Sequence, residues 1–404
     1  MTHSSLGLVA AAAAVLLGST TAFAGGFALR EQSVVGQGSA FAGVAAGSGG
    51  VSSQFWNPAA TSVLNEYGLI SESNLSLILP QSEATAQNNS KSGNMGDWAV
   101  VPASAYSWGV NDKLTLGLTF GAPFGLSTDG SNSWLGALYG DSSEVETYTL
   151  GPSASYKLND WIAVGLGAQL EYMTLNLDSR IPGGPEFLDV EADGLGAGFT
   201  AGVMLTPTDT TTIGLGFRSS VHHKLKGNGF GGGPSPVAFL GDITGNFDTP
   251  EIVTLGIRQQ VTDQFVLLAG AEWSNWSRFD ELRIKTANGD LANTENWTDG
   301  WYASLGGEYA YSDTLILRAG AAFEKSPVTD TFRTPRIPDN DRLWLSAGAS
   351  YKINDTFTAH FAYSHVFMKD GDVNIPAGPG PAPGLTASFD QHIDIVSVGL
   401  TSDW

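Results

Sequence analysis

Long stretches of this chain alternate between apolar residues and small or polar ones. In Ile162-Val164-Leu166-Ala168-Leu170-Tyr172 the even positions are apolar, and Gly165, Gly167, Gln169 and Glu171 lie between them. Leu343-Leu345-Ala347-Ala349-Tyr351-Ile353 is interleaved in the same way with Ser346, Gly348, Ser350 and Lys352. Leu315-Leu317-Ala319-Ala321-Phe323 faces away from Arg318 and Glu324. A period of two belongs to a strand with two unlike faces. A soluble sandwich alternates too, so length has to discriminate. These runs exceed the roughly 5 or 6 residues of soluble strands and match tilted strands that cross a membrane.

Fourteen runs can be counted, near residues 66–78, 98–110, 113–122, 145–158, 161–178, 192–206, 211–226, 242–261, 264–286, 297–310, 314–325, 340–353, 356–370 and 389–403. Between them recurs a short turn carrying Asp, as in Val110-Asn111-Asp112-Lys113, Leu158-Asn159-Asp160-Trp161 and Ile353-Asn354-Asp355-Thr356. Pro207-Thr208-Asp209-Thr210, Val261-Thr262-Asp263-Gln264 and Tyr311-Ser312-Asp313-Thr314 complete the set. Asn and Asp suit tight turns because they tolerate left-handed backbone and cap their own chain. Short turns separated by long connections predict one end of short turns and an opposite end of long loops. The expected fold is all-β: a 14-stranded antiparallel transmembrane barrel over residues 65–404. Trp98, Trp161, Trp273, Trp276, Trp297 and Trp301 near strand ends read as interfacial aromatic girdles.

Residues 25–64 break the pattern. They are rich in Gly, Ala and Ser, hold two charged residues (Arg30 and Glu31) and show neither alternation nor a long helical stripe. A fourteen-strand barrel encloses more room than its own side chains fill. The segment is therefore expected to be a hatch inside the lumen, which makes the function gated passage. Ahead of it, residues 6–17 form an apolar run too short to span a membrane, followed by Ala22-Phe23-Ala24, a cleavage pattern of a secretory signal. Residues 1–24 are accordingly expected to be a signal peptide, although the n-region carries no Lys or Arg.

Composition narrows the partners. The net charge of -21 argues against nucleic acid. Cysteine is absent, which removes disulfides and thiolate metal sites, so a closed hydrogen-bonded sheet has to hold an exported chain together. Enzymatic readings are weak. His222 and His223 point to opposite faces of a strand and cannot share a metal. Gly227-x-Gly229-x-x-Gly232 lacks the following helix of a dinucleotide site, and Asp339-Asn340-Asp341 lacks the rest of a calcium loop. No catalytic residue, metal or cofactor is expected, and the barrel is expected to be a monomer surrounded by outer-membrane lipid.

Several stretches resemble a known family. Gly25-Gly26-Phe27 followed by Asn57-Pro58-Ala59 is similar to the start and hatch of the long-chain fatty acid transporter family, the FadL-like outer-membrane proteins. Pro123-Phe124-Gly125-Leu126-Ser127-Thr128 resembles the segment after that family's third strand, and Pro250-Glu251 precedes a run to Trp276-Ser277-Arg278-Phe279. Ile337-Pro338-Asp339-Asn340-Asp341-Arg342-Leu343-Trp344-Leu345-Ser346 is the most specific match. The resemblance implies passive import of hydrophobic molecules, either fatty acids or aromatic and aliphatic hydrocarbons. Substrate would be caught among extracellular loops, pass to an inner pocket and leave sideways where a strand kinks. A general porin or structural barrel is the remoter alternative.

Candidate residues follow. Asn57, Pro58 and Ala59 would fix the hatch, and by resemblance Phe27 would reach the inner pocket. Gly121, Pro123, Phe124 and Gly125 end the third run; proline removes a ladder hydrogen bond and glycine weakens pairing, so a kink is expected there, and the resemblance implies that the lateral exit lies in this region. Trp134, Leu135, Leu138 and Tyr139 form an apolar group in a long outward loop, as binding surfaces do. Phe187 and Leu188, with Val237-Ala238-Phe239-Leu240, are possible facing walls. A carboxylate head group wants a cation. By resemblance that is Arg180, with Arg218 and Arg318 as alternatives in a polar lumen. The segment 291–301, where the family has a second cation, holds no Lys or Arg, and this favours a neutral ligand.

Overall fold

The computed structural model of the chain describes residues 25–63, 68–180, 186–231, 238–287, 289–377 and 383–404. The expected signal peptide and Leu64 lie outside the described residues. Twenty-one strand segments make one sheet, and laid end to end they form fourteen antiparallel staves. These are β1 (Gly68–Ala86), β2 (Lys91–Asn94 and Ala99–Gly109), β3 (Leu114–Gly121 and Gly125–Asp129) and β4 (Ser142–Asn159). β5 (Ile162–Arg180), β6 (Glu186–Thr208), β7 (Thr211–Arg218 and His222–Gly231) and β8 (Ala238–Asp248 and Ile252–Gln260) follow. Then come β9 (Phe265–Ser274 and Glu281–Thr286), β10 (Gly289–Thr294 and Gly300–Ser312) and β11 (Leu315–Lys325). β12 (Arg342–Lys352), β13 (Phe357–Met368 and Gly371–Ile375) and β14 (Leu385–Asp403) complete the ring. β14 pairs with β1 from Ile70↔Asp403 to Ala86↔Ala387, so the sheet closes and leaves no edge along that seam.

The alternation maps onto the two faces of this wall. Leu166, Leu170 and Tyr172 of β5 point outward, Leu166 being 68% exposed, while Gln169 and Glu171 point inward and are buried. The outer face is thus an apolar band for lipid. In five of the six short turns the closing group is the residue before Asp. Asn111 Oδ1 accepts from Lys113 N and Leu114 N, Asn159 Oδ1 from Trp161 N and Ile162 N, and Asn354 Oδ1 from Thr356 N and Phe357 N. Thr262 and Ser312 hydroxyls serve likewise.

Seven staves are interrupted, which the fourteen runs did not anticipate except at Pro123. The interruption between Ser274 and Glu281 of β9 contains a single 3-10 turn, Trp276–Arg278. It changes the reading of two tryptophans. Trp98, Trp161 and Trp301 are exposed on the outer face as girdle residues should be, but Trp276 and Trp297 are buried. The chain bends inward at both breaks and carries them into the lumen.

Residues 25–63 lie against the inner face of the wall. They form a short helix α1 (Val34–Gln37) and three 3-10 turns, Val44–Ala46, Gly50–Phe55 and Pro58–Val63, nearly all buried. The Ser33 hydroxyl caps α1 by accepting from Gly36 N. Bonds run to staves around the ring: Val34 N to Asn74 Oδ1, Gln37 Nε2 to Ile395 O, Gly43 N to Ala269 O, and Tyr302 OH to Ala40 O. Close approach is possible because glycines line the wall in register. Gly165 pairs with Gly202, Gly202 with Gly216, and Gly214 with Gly256. A Cβ on Gly202 would stand 1.8 Å from Asn57 Oδ1, and one on Gly165 would stand 2.3 Å from Ala59 N.

Candidate functional site

Asn57 is the pivot of the segment's second half. Its amide nitrogen donates to Ala45 O at 2.8 Å within the segment and to Val203 O of β6 at 3.1 Å. Its oxygen accepts from Ala59 N at 3.0 Å, which closes the turn into Pro58. Backbone carbonyls that close packing would otherwise leave unpaired are satisfied by one side chain.

The first half is anchored by charge. Arg30 reaches Glu272 of β9 at 2.9 Å and Glu324 of β11 at 3.2 Å, and lies 3.7 Å from the ring centre of Tyr302. Trp344 Nε1 donates to the other Glu324 oxygen, and Gly26 N donates to Asp339 Oδ2, whose second oxygen pairs with Arg342. Glu31 is buried beside them with one oxygen unpartnered. Burial pushes its carboxyl up to about 7. Sequence reading missed this cluster because its members stand hundreds of positions apart.

Where the segment meets β3 the wall is incomplete. The β2–β3 ladder runs as far as Ser104↔Phe120 and the two staves meet again at the Gly96↔Thr128 bridge. Above that, Gly121 ends one half of β3 and Gly125 begins the next. The backbone of residues 27–32 fills the gap. Leu29 N donates to Pro123 O at 2.7 Å, Gly125 N to Phe27 O at 2.8 Å, and Ala28 makes an antiparallel bridge with Phe124. Gln32 Nε2 donates to Ala122 O at 3.0 Å. The β2–β3 ladder is thus open between these two pairings, a window at which residues 27–32 bond to β3.

Above the window lies a cavity of about 1430 Å³. Phe27 forms its floor, within 6.4 Å centre to centre of Phe124, Phe247, Trp276, Phe279 and Trp297. Leu126, Val145, Met173, Leu175 and Leu177 make one wall, Leu225, Phe247, Leu282 and Ile284 another, and residues 331–337 overhang it. Burying Phe27 alone stabilises the docked N-terminal segment by about 2–3 kcal/mol.

The expected ligand contacts divide. Phe27, Leu138, Tyr139 and Leu188 line the cavity. Trp134 does not: it is fully buried and packs edge-on against Phe389, in a satellite cluster with Leu135 at its margin. The loop apolar group is therefore half anchor and half lining. Arg180 is also away from the lining, paired with Asp141 at 2.8 Å. Arg218 donates to Phe55 O of the N-terminal segment and lies over the Phe55 ring, while Arg318 pairs with Glu308. Both belong to the packed lumen. The side chains of Phe187 and of residues 237–240 lie outside the described residues. Sequence reading missed Arg336, Glu295 and the Met173-Leu175-Leu177 wall. That wall had a signal: the inward face of β5 turns from Gly165, Gln169 and Glu171 to three large apolar residues.

A closed, lipid-banded barrel whose lumen is filled by its own N-terminal segment, with an apolar cavity above it, defines an outer-membrane transport protein. The sequence profile of the family described as "Outer membrane protein transport protein (OMPP1/FadL/TodX)" matches residues 15–403, and the chain belongs to that family. It is 27% identical over 423 residues to the long-chain fatty acid transport protein of Escherichia coli (strain K12), covering 92% of this chain and 93% of that one. A Pseudomonas aeruginosa FadL homologue superposes with a TM-score of 0.83 at 22% identity, covering 94% of this chain and 99% of that chain. The toluene transporter TbuX of Ralstonia pickettii gives 0.71 at 18%, covering 93% and 99%.

Proposed function

We propose that the protein passively takes up long, hydrophobic molecules. They are caught in the cavity above Phe27, released downward when residues 27–32 move, and passed sideways into the membrane through the window between β2 and β3. The window at the cavity's foot carries this reading. Its backbone groups are satisfied by a displaceable segment rather than by a neighbouring stave, so moving that segment opens both the floor and the wall. The cavity exceeds the roughly 300–1,000 Å³ of a drug-sized pocket, which suits a long flexible chain, such as a fatty acid or related lipophile, better than one aromatic ring. Import of aromatic or aliphatic hydrocarbons is the second reading, supported by the apolar lining. A general porin is disfavoured by the filled lumen.

The absence of cysteine allows a clean test. Ala28→Cys with Phe124→Cys places two thiols on an antiparallel bridge pair, where Cα separations of about 4.5–5.5 Å suit a disulfide. Oxidised cells should lose uptake of labelled long-chain compounds and regain it with reductant. Full uptake through the locked protein would refute the lateral route.

A further inference from the structure

Between Trp276 and Trp297 the chain makes a hairpin that stands above the bends of β9 and β10. Its ladder runs from Glu281↔Thr294 to Thr286↔Gly289. Below the ladder the two strands stay tied. Asp280 O accepts from Glu295 N at 2.8 Å and from Asn296 N at 3.0 Å, and Trp297 N donates to Phe279 O at 3.3 Å. Arg283 pairs with Glu281 and, across the ladder, with Asp290 at 3.0 Å. The hairpin is therefore held together by its own bonds from tip to base.

Its hold on the rest of the barrel is slighter. Towards β8 it has two rungs, Thr244↔Lys285 and Gly245↔Ile284, and a ring contact between Phe279 and Phe247 at 5.2 Å. On its other edge, Gly289–Thr294 pairs with no further strand among the described residues, and that whole segment is exposed. Both strands leave the wall at one height, since Ser274↔Gly300 is the last rung below the bends. At the base Arg278 pairs with Glu251 of β8, and Ser277 N donates to Asp299, so this end is a pivot rather than a free end. Asn296 at the bend takes a φ of 42°, in the left-handed region that a non-glycine residue seldom adopts. An element with few rungs to its neighbours and a solvated edge belongs to the low-stability end of a fold, where moving parts are found.

The same hairpin touches both ends of the transport path. Leu282, Ile284 and Leu291 line the cavity. Trp276, Phe279 and Trp297, at its base, stand around Phe27 with ring centres 4.6, 6.4 and 5.7 Å away. Trp297 also closes on the residue before it, for a Cβ on Gly26 would stand 2.7 Å from the indole. One self-bonded body thus forms a wall of the cavity and the collar of the residue that floors it.

We propose that hairpin 276–297 is the ligand sensor of the gate. A long apolar molecule seated against Leu282, Ile284 and Leu291 swings it about its base, and Trp276, Phe279 and Trp297 then let go of Phe27. This coupling rests on the uptake reading above and names the element that links capture to release. A ligand shifts such an equilibrium only by binding one arrangement better than the other, and here the difference is the fit of the ligand chain against those three side chains.

The test pins the hairpin to the wall. The chain has no cysteine, so Thr244→Cys with Lys285→Cys puts a single disulfide across one of the two rungs, where Cα separations of about 4.5–5.5 Å permit it. Both positions are exposed and outside the cavity lining, so ligand contacts stay in place. Hydrogen exchange at residues 27–32 is followed in the purified, detergent-solubilised barrel without ligand, with palmitate and with hexadecane, and binding of each probe is measured in the same samples. In the reduced protein a bound probe should speed exchange severalfold, within the roughly 5–150-fold range of allosteric couplings. The oxidised protein should bind the probe as tightly and show no change. A second measurement needs no crosslink: spin labels at Ala287 on the hairpin tip and Asp313 in a short turn should change separation when a probe binds. Exchange that rises equally in the oxidised protein, or a label separation that a bound probe leaves unchanged, overturns the proposal and leaves the uptake reading intact. A bound probe that speeds exchange in neither form also overturns it, since release is then not driven from the cavity, and the lock between residues 28 and 124 still judges the lateral route. Failure of both probes to bind removes the cavity as a capture site, and the proposal and the uptake reading fall together.

Discussion

Replacing Gly214 and Gly216 of β7 by alanine should dislodge the N-terminal segment without harming the barrel. A Cβ at Gly214 would stand 1.8 Å from Ala45 O, and one at Gly216 would stand 1.8 Å from Trp56 O. Both opposing atoms are backbone carbonyls, which cannot rotate aside as a side chain can. Relief needs a shift of more than about 1 Å, and at that distance packing and hydrogen bonds are forfeited. Overpacking costs about 1–3 kcal/mol per site. The same shift disturbs the Asn57 bonds to Ala45 O and Val203 O, so the double variant should weaken docking by about 3–6 kcal/mol. The β7 ladder to β6 and β8 uses only backbone and should survive. Single-channel recording in planar bilayers reads the outcome: the wild type stays closed, and Gly214→Ala with Gly216→Ala conducts steadily. Gly245→Ala is the control, since its Cβ meets only Arg283 O at 3.4 Å. A double variant as silent as the control, with the segment still protected from protease, would refute the idea that glycine-permitted contact seals the lumen.

Other expectations follow from the same contacts. Arg30→Met should expose residues 25–35 to hydrogen exchange, because Glu272 and Glu324 would lose their shared counter-ion, a loss of about 3–5 kcal/mol for a buried pair. Docking should also depend on pH through Glu31, whose carboxyl rises from 4.5 to about 7 on burial. The docked state holds the proton more tightly, so docking is firmest at low pH, weakens as pH rises from about 4.5 to about 7, and levels off above that by up to about 3 kcal/mol. Glu31→Gln should abolish the slope, seen as exchange protection that no longer varies with pH. Trp134→Ala should loosen residues 130–141 by about 3–5 kcal/mol of lost packing. It should lower capture at limiting substrate while heat-modifiable mobility of the barrel stays as in the wild type.

Strand number, strand phase and the position of the short turns were legible in the sequence, because alternation and turn chemistry are local. The only interruption expected from the sequence was at Pro123, where a residue type forbids pairing; the run 242–261 was read straight through Pro250. At residues 219–221 no proline or glycine marks the break, and at 295–299 only Asn296, with a φ of 42°, does so. Trp276 and Trp297 were misplaced for that reason: a tryptophan near a strand end looks the same whether the chain next bends outward or inward. The N-terminal segment stood out by composition, yet its anchors did not, since Arg30, Glu272, Glu324 and Asp339 meet only once the barrel closes. The empty stretch 291–301 was readable, but the occupation of Arg336 by Ser142, Ser143, Asp178 and Ser179 required coordinates.

The central claim is that a plugged barrel passes lipophiles and excludes water-borne solutes. Dual-label uptake tests it directly, in cells that lack their own long-chain carrier and express this chain. One label is carried by a long-chain lipophile and the other by a small sugar. The account predicts that expression raises entry of the lipophile and leaves sugar entry at background. Entry of the sugar without the lipophile would contradict it and make the protein an open pore.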